Sequence, residues 1–512
     1  MPTLGSSCAV LGEFLLGGSC DVPPTPAPFV LLTGFTDNGE LTHNAIGEML
    51  SMSVTRGIDP DQGAITVGTA QVTLKNHDGR YSELRTDSPL YPNVEVGRGV
   101  ESQLRDSAGD LQGQFKGTVR EISLDPAPTT RQASLDCVDY LETLRRVVIS
   151  TPLYENKRSD ELIAALLTLA GYTGATDLEQ GAKSFPFASW RNVGALDAIQ
   201  QVIDTEQGTF FISKDGLPTF HNRYHRITTT TPEATFNNSF DGFTYRVSVD
   251  DVYNEAIVTA HPRVKDTSAF SALWRWDEAP YFLGAGKSLV IDADYNNPDG
   301  GGGICEGADV VTPVATTDYK AYTNANGTGT NKTAYLSISA FTAYGQHATL
   351  TITNTDSVGF YVTLLQVRGH PITQPTTVTA REVDQDSIDQ YGFKSTITLD
   401  LPLESTLEGA RDVARYLMQV YGNPIKRITL QVKPADDTRL DALANLDLNG
   451  VVEVTQPDVG LDGMLFFIDQ IQSEIGDTVA GMVTTYSCTA VPAFDYIILD
   501  NPDQTFDDIL GA

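Results

Sequence analysis

Ala64-Ile65-Thr66-Val67-Gly68-Thr69-Ala70-Gln71-Val72-Thr73-Leu74 is a run of β-branched and small residues with partial alternation, and Asn76-His77-Asp78-Gly79 follows it as a turn signal. Alternation puts successive side chains on opposite faces of a strand, and Asp-Gly accepts the backbone angles that reverse a chain. Gly113 to Leu124 and Arg131 to Val138 read as a hairpin around Pro126 and Pro128. Residues 29–150 therefore predict a β-barrel or sandwich.

The texture changes beyond that stretch. Ser159 is placed to cap a helix, with Asp160 and Glu161 at its positive end. Leu162, Ile163, Leu166 and Leu167 form one apolar stripe, and Gly171 supplies the stop. A second stripe of Leu196, Ile199, Val202 and Ile203 ends at Gly208. Thr209 to Ser213, Lys214-Asp215-Gly216 and Leu217 to Phe220 read as strand, tight turn, strand. Residues 151–239 thus predict a small α+β module. Phe243 to Thr259 returns to strand. Residues 263–372 hold short strands between Gly- and Asn-rich loops, the pattern of an immunoglobulin-like β-sandwich. A last region, 373–495, combines four strands with one helix announced by the capping box Ser405-Thr406-Leu407-Glu408. Residues 1–28 read as an arm and a Pro-rich linker, and 496–512 as an acidic C-terminal tail.

At 512 residues the chain predicts three or four domains. Lys plus Arg number 34 against 66 Asp plus Glu, a formal charge of −32. A surface this acidic does not grip phosphate backbones, which need clustered cations, nor anionic membranes. Cys8, Cys20, Cys137, Cys305 and Cys488 lie far apart with no C-x-x-C pair, as expected of reduced thiols in a protein made in the cytoplasm. No apolar run is long enough for a membrane helix, and Met1 to Cys20 lacks the basic start of a signal peptide. G-x-S-x-G, H-E-x-x-H, Walker A and papain-like signatures are missing, so no enzyme is expected.

Three stretches carry residue types that could hold a ligand. His221 and His225 have metal-pair spacing. In the extended chain expected there they stand roughly 13 Å apart, so no metal is expected. Asp292, Asp294, Asn296 and Asp299 place oxygens at alternate positions, like the start of a calcium loop. Asn297 replaces the sharp-turn glycine and no bidentate Glu follows, so an ordinary Asp/Asn turn is the competing reading and no cofactor is expected. Trp274, Trp276 and Tyr281 could form a glycan-stacking platform, against a role in anchoring the 263–372 segment.

Leu74-Lys75-Asn76-His77-Asp78-Gly79-Arg80-Tyr81, with Ser88-Pro89-Leu90-Tyr91 and Val96-Gly97-Arg98-Gly99-Val100, resembles the "L-x-N-x-D-G-R-Y … G-R-x-V" pattern of the tail hub (minor tail, baseplate hub) proteins of long-tailed bacteriophages. Asp215 to Phe220, Asp386 to Gly392 and Leu446-Asp447-Leu448 fit the same family, and the resemblance spans about 40–260 and 375–500. It implies a mainly β fold with two tail-tube-like β-barrels, the first over 29–150 completed by 240–262 and the second over 373–495, with 263–372 as an insertion. It implies a homotrimer whose six barrels continue a hexameric tail tube at the distal end of the virion tail. Implied partners are the tail tube or distal tail protein, the tape measure protein and the tail tip or central fibre protein, with genomic DNA passing through unbound. Three chains would carry −96, and acids facing the bore would repel phosphates. The alternative is a glycan-binding or glycan-cleaving tail protein acting through the insertion.

Overall fold

Burial alternates along Thr69–Lys75 as its sequence predicts, with Ala70, Val72 and Leu74 inside. The computed structural model, which describes residues 9–11, 14–16, 29–36, 40–58, 65–296, 304–476 and 481–491, builds this strand into the first of two similar β units. Unit one consists of β1 (Phe29–Thr33), β2 (His43–Asn44), β3 (Met49–Gly57), β4 (Thr69–Lys75), β5 (Gly99–Arg105), β6 (Leu111–Asp125) and β7 (Gln132–Val138). Their order in the sheet is β2-β1-β5-β6-β7-β4-β3.

Unit two consists of β8 (Ala234–Asn237), β9 (Gly242–Val247), β13 (Lys426–Val432), β14 (Val451–Gln456), β15 (Leu461–Ile475) and β16 (Val483–Ala490), in the order β8-β14-β15-β16-β13-β9. The two units share a topology. Taken in chain order, β3, β4, β5, β6 and β7 correspond to β9, β13, β14, β15 and β16, and every pairing among the first five recurs among the second five. In both, the sheet path begins and ends on consecutive segments: β2 and β3 in unit one, β8 and β9 in unit two. No ladder joins those ends among the described residues. Short links, 45–48 and 238–241, span each gap instead. The expected barrels are therefore curled sheets tied shut by the chain.

The segment 240–262 does not complete unit one. Its first strand, β9, pairs with β13 of unit two. Its second, β10 (Glu255–Ala260), is the centre of a separate three-stranded sheet between β11 (Val378–Val383) and β12 (Thr396–Leu401). Helix α3 (Leu407–Tyr421) covers that sheet through Val413, Ala414 and Leu417. So 373–425 belongs with β10 and not with the second unit, whose strands β8 and β9 lie before the insertion and whose remaining strands begin only at Lys426. Hydrophobic alternation identifies a strand but not its partner, which explains the misplacement.

The α+β module follows its pattern more closely. Helix α1 (Ser159–Leu169) and α2 (Ala195–Glu206) bury their apolar stripes against each other and the 209–221 hairpin. Ser159 is not the cap. Arg158 holds that position, its backbone N–H donating to Glu161, while the buried Ser159 hydroxyl donates to Glu206 at 2.5 Å. The insertion forms two sheets around one core, one built on Phe360–Thr373 and the other on His347–Asn354. Asp299, residues 496–512 and most of 1–28 lie outside the described residues. Within 1–28, Ala9–Leu11 pairs antiparallel with Phe14–Leu16.

Candidate functional site

Six register pairs, Gln470↔Gly57 to Ile475↔Met52, join β15 of unit two to β3 of unit one. The two units thereby share one ladder of eight strands, β6-β7-β4-β3-β15-β16-β13-β9, antiparallel throughout. One face of this sheet is the common core, where Val72, Leu135, Val54, Ile471 and Tyr486 are buried. The other face is polar. Its cross-strand rows read Glu121–Asp136–Gln71–Ser53–Glu474, then Thr69–Thr55–Gln472–Thr485–Gln431, then Gln470–Ser487–Thr429–Thr244. Hydroxyls and amides dominate. The carboxylates of Glu121, Asp136 and Glu474 fall in a single row.

The most specific sequence motif fastens unit one. Gly79 (φ +71°) reverses the chain after β4, and Asp78 accepts from the Arg80 guanidinium at 2.7 and 2.9 Å. That guanidinium holds the Asp78 carboxyl below its usual range. Arg80 and the fully buried Tyr81 both donate to Glu48, in the link that bridges β2 and β3. The motif is thus a clasp on the curled sheet. Sequence reading found Arg80 and Tyr81 but missed Glu48, whose only signal is a lone acid between apolar residues. Glu48→Ala leaves the buried Tyr81 hydroxyl with only the long contact to His43 Nε2, at 3.4 Å, and should cost about 1–3 kcal/mol. A urea unfolding series checks this, with Glu48→Gln expected to recover part of the loss.

A second cluster fixes the α+β module to unit two. Asp469 is 4% exposed and accepts from Arg226 at 2.8 Å and from Thr489. Burial pushes its carboxyl upward against the pull of Arg226. Arg226 also donates to Asn449 at 2.6 Å and lies 5.1 Å over the Phe467 ring. Beside it, Arg56 of β3 and the Lys214 backbone N–H both reach Asp447, at 2.5 and 2.7 Å. The motif Leu446-Asp447-Leu448 is therefore the meeting point of both units and the module. The sequence signal for Asp469 is an acid directly after the apolar run Leu465 to Ile468.

His221 and His225 belong to this cluster, contrary to the expected extended chain. The strand Pro218–His221 stops at the first histidine and a short helix, His225–Thr228, starts at the second. The turn between them stacks the rings 3.7 Å apart. Asn449 donates to His221 Nδ1 at 2.8 Å, and Glu179 lies 3.5 Å from His225. No group of three metal-binding side chains forms among the described residues. Burial holds His221 down at about 3, well below an ordinary histidine near 6.5. The unfolded chain therefore binds more protons between those values, and stability falls as pH drops from 6.5. The slope should approach about 1.4 kcal/mol per pH unit for this group. Melting temperatures measured from pH 7 to pH 4 should fall less steeply in His221→Gln.

The insertion's candidate residues are placed differently from expectation. Trp274 and Trp276, at 6% and 7% exposed, are core residues of the insertion, with Tyr281 packed on Trp276 at 5.1 Å between centroids. A bulge between Ala272 and Trp274 helps to turn them inward. They offer no stacking platform. Asp292 and Asp294 sit on the strand Ser288–Asp294, where side chains project outward in parallel and do not converge on a cation. Asp294 pairs with Arg191 at 2.5 Å, and Asp292 accepts from Thr349 at 2.8 Å. Asn296 follows the strand, its backbone N–H donating to Leu273 O at 2.9 Å.

What fixes the insertion is a buried ion pair. Arg263 donates to Glu306 at 2.9 Å and to the carbonyls of Phe187 and Pro402 at 3.1 and 3.0 Å. Ser189 donates to the same carboxylate at 2.5 Å. Glu306 is 1% exposed, and burial raises its carboxyl. The described cysteine side chains, Cys137 and Cys488, are free and buried, and burial pushes the Cys137 thiol up to about 12. No described helix is long and apolar enough to cross a membrane.

No family model matches this sequence, and no curated protein matches it. Solved structures similar to it include phage and prophage tail proteins. The 43 kDa tail protein of prophage MuSo2 from Shewanella oneidensis is 11% identical, with a TM-score of 0.48 over 90% of this chain and 97% of that one. A tail protein from Neisseria meningitidis MC58 is 8% identical, with a TM-score of 0.49 over 90% and 96%. Prophage tail protein gp18 from Listeria monocytogenes EGD-e is 8% identical, with a TM-score of 0.40 over 95% and 98%.

Proposed function

We propose that this chain is a structural virion protein, the trimeric hub at the distal end of a phage tail, where it adapts a hexameric tube to the tail tip and forms part of the DNA-ejection channel. The observation that carries this reading is the doubled β unit. Two copies of one topology joined edge to edge let three chains present six units around an axis. The polar face of the shared sheet suits the wall of a DNA conduit. Its hydroxyls and amides offer phosphates little to grip, its row of acids repels them, and the facing arginines Arg246 and Arg427 are both paired with Asp251. The tube or distal tail protein, the tape measure protein and the tip protein are the partners this role requires.

Native mass measurement of the full chain tests the oligomer. The chain is 55.4 kDa, and the expected species holds three copies. A stable dimer, or a monomer that persists at high micromolar concentration, contradicts the reading.

A second reading, glycan binding through the insertion, has one observation in its favour, on residues other than those expected. Phe282, Tyr361 and Tyr322 are register partners across three strands of the insertion, and Phe282 is 54% exposed. The Phe282 and Tyr361 rings lie 5.1 Å apart, and a Cβ on Gly359 would meet the Phe282 ring at 2.4 Å. The ring is thus seated on bare backbone. Rings held this way can stack on a sugar, and an exposed Asn/Thr loop at 324–331 adjoins them. A glycan array with the full chain decides it. Specific binding lost in Phe282→Ala supports this reading, and binding unchanged by that substitution removes it.

A further inference from the structure

We infer that the free half of β6, residues 120–125, pairs antiparallel with β9 of a second copy of this chain, in a register that the internal joint already displays. This inference rests on the trimeric reading and specifies its interface. β6 and β15 each run 15 residues and occupy the same place in the repeated topology. Each is itself bulged opposite its hairpin partner, between Val119 and Glu121 in β6 and between Ile468 and Gln470 in β15.

The first half of β15 pairs with β14, and its second half, from Gln470, pairs with β3. The first half of β6 likewise pairs with β5 as far as Thr118, and Val119 still exchanges backbone hydrogen bonds with Gly97 and Arg98. Beyond it, this edge of β6 has no strand beside it among the described residues. At the far end of the eight-strand ladder, β9 pairs with β13 alone. β9 is the counterpart of β3, the strand that β15 engages. An unpaired edge invites a strand. Eight antiparallel strands is an even number, so the last strand of one copy meets the first of the next antiparallel, and three copies close without a parallel step.

Transferring the internal register fixes the contacts. Gln470↔Gly57 maps onto Glu121↔Ser248, and Gln472↔Thr55 onto Ser123↔Arg246. Ile122 then faces Val247, and Leu124 faces Tyr245. Leu124 and Val247 are 41% and 47% exposed in the single chain, apolar side chains left open at the two edges this pairing brings together. On the polar face Arg246 falls between Glu121 and Asp125, a charge-matched diagonal.

The test is a pair of cysteines, Ser123→Cys with Arg246→Cys, in the full chain. Directly opposed strand residues stand about 4.5–5.5 Å apart, within disulfide range. Mild oxidation should convert most of the double variant into a covalently closed three-chain species, while each single variant yields none. Cross-linking that stays at the level of the single variants, in a sample whose native mass shows trimers, overturns this register and leaves the trimeric hub standing. Absence of trimers at any concentration tried overturns both. Leu124→Asp, at an exposed site, should fold with an unchanged circular dichroism spectrum and lose the trimer. A trimer that survives it counts against the interface.

Discussion

Asp469→Ala is expected to lower the free energy of unfolding by about 3–5 kcal/mol, because it leaves the Arg226 guanidinium buried without its counter-charge. Arg226 is held by three partners from unit two: Asp469, Asn449 and the Phe467 ring. Removing the carboxylate also takes away the acceptor of the Thr489 hydroxyl, which keeps Arg427 as its donor. The α+β module and unit two should therefore loosen together. Asp469→Asn keeps an acceptor of the same shape and should cost clearly less. Urea midpoints of the two variants check this. Equal midpoints for wild type and Asp469→Ala would mean that the charge pair contributes nothing to the joint.

Arg263→Ala is expected to be comparably severe, about 3–5 kcal/mol, for the mirror-image reason. It leaves the Glu306 carboxylate at 1% exposure with the Ser189 hydroxyl as its remaining donor among the described contacts. It also releases the carbonyls of Phe187 and Pro402, which belong to two different parts of the fold. The damage should centre on the mount of the insertion. Hydrogen exchange should rise first at 184–190 and 304–308, before the strands of the eight-strand ladder. Glu306→Gln alongside Arg263→Met, which removes both charges, should recover much of the loss.

Much of this fold was legible in the sequence where the signal is local. Alternation in Thr69–Lys75, the apolar stripes of α1 and α2, and the turn at Lys214-Asp215-Gly216 all place elements correctly. Pairing between distant segments was not legible. The burial pattern of β9 is compatible with either unit, so nothing in residues 242–247 announces β13 as their neighbour. The same limit hid the separate sheet of β10, β11 and β12. The doubled topology was expected from family resemblance, but its second copy is split between 234–247 and 426–490, so no contiguous stretch spells it.

For the sites, chemistry in one motif was visible and its target was not. Arg80 and Tyr81 stand out in the chain, whereas Glu48 becomes meaningful only when the sheet curls and brings the link beside them. The indoles of Trp274 and Trp276 suggested an exposed face. Residues 274 and 276 share a face in any extended chain, and a bulge just before them, between Ala272 and Trp274, helps to make that shared face the buried one. His221 and His225 are extended-chain neighbours on paper and stacked partners in fact, because the strand ends between them.

The most direct measurement is a three-dimensional image reconstruction of the assembled chain that separates individual strands. The predicted object has threefold symmetry, six matching β lobes side by side in one ring, and a bore walled by Gln71, Gln472 and Thr429 with their row neighbours. Lobes stacked along the axis, or a bore lined by any other face of the sheet, would contradict it.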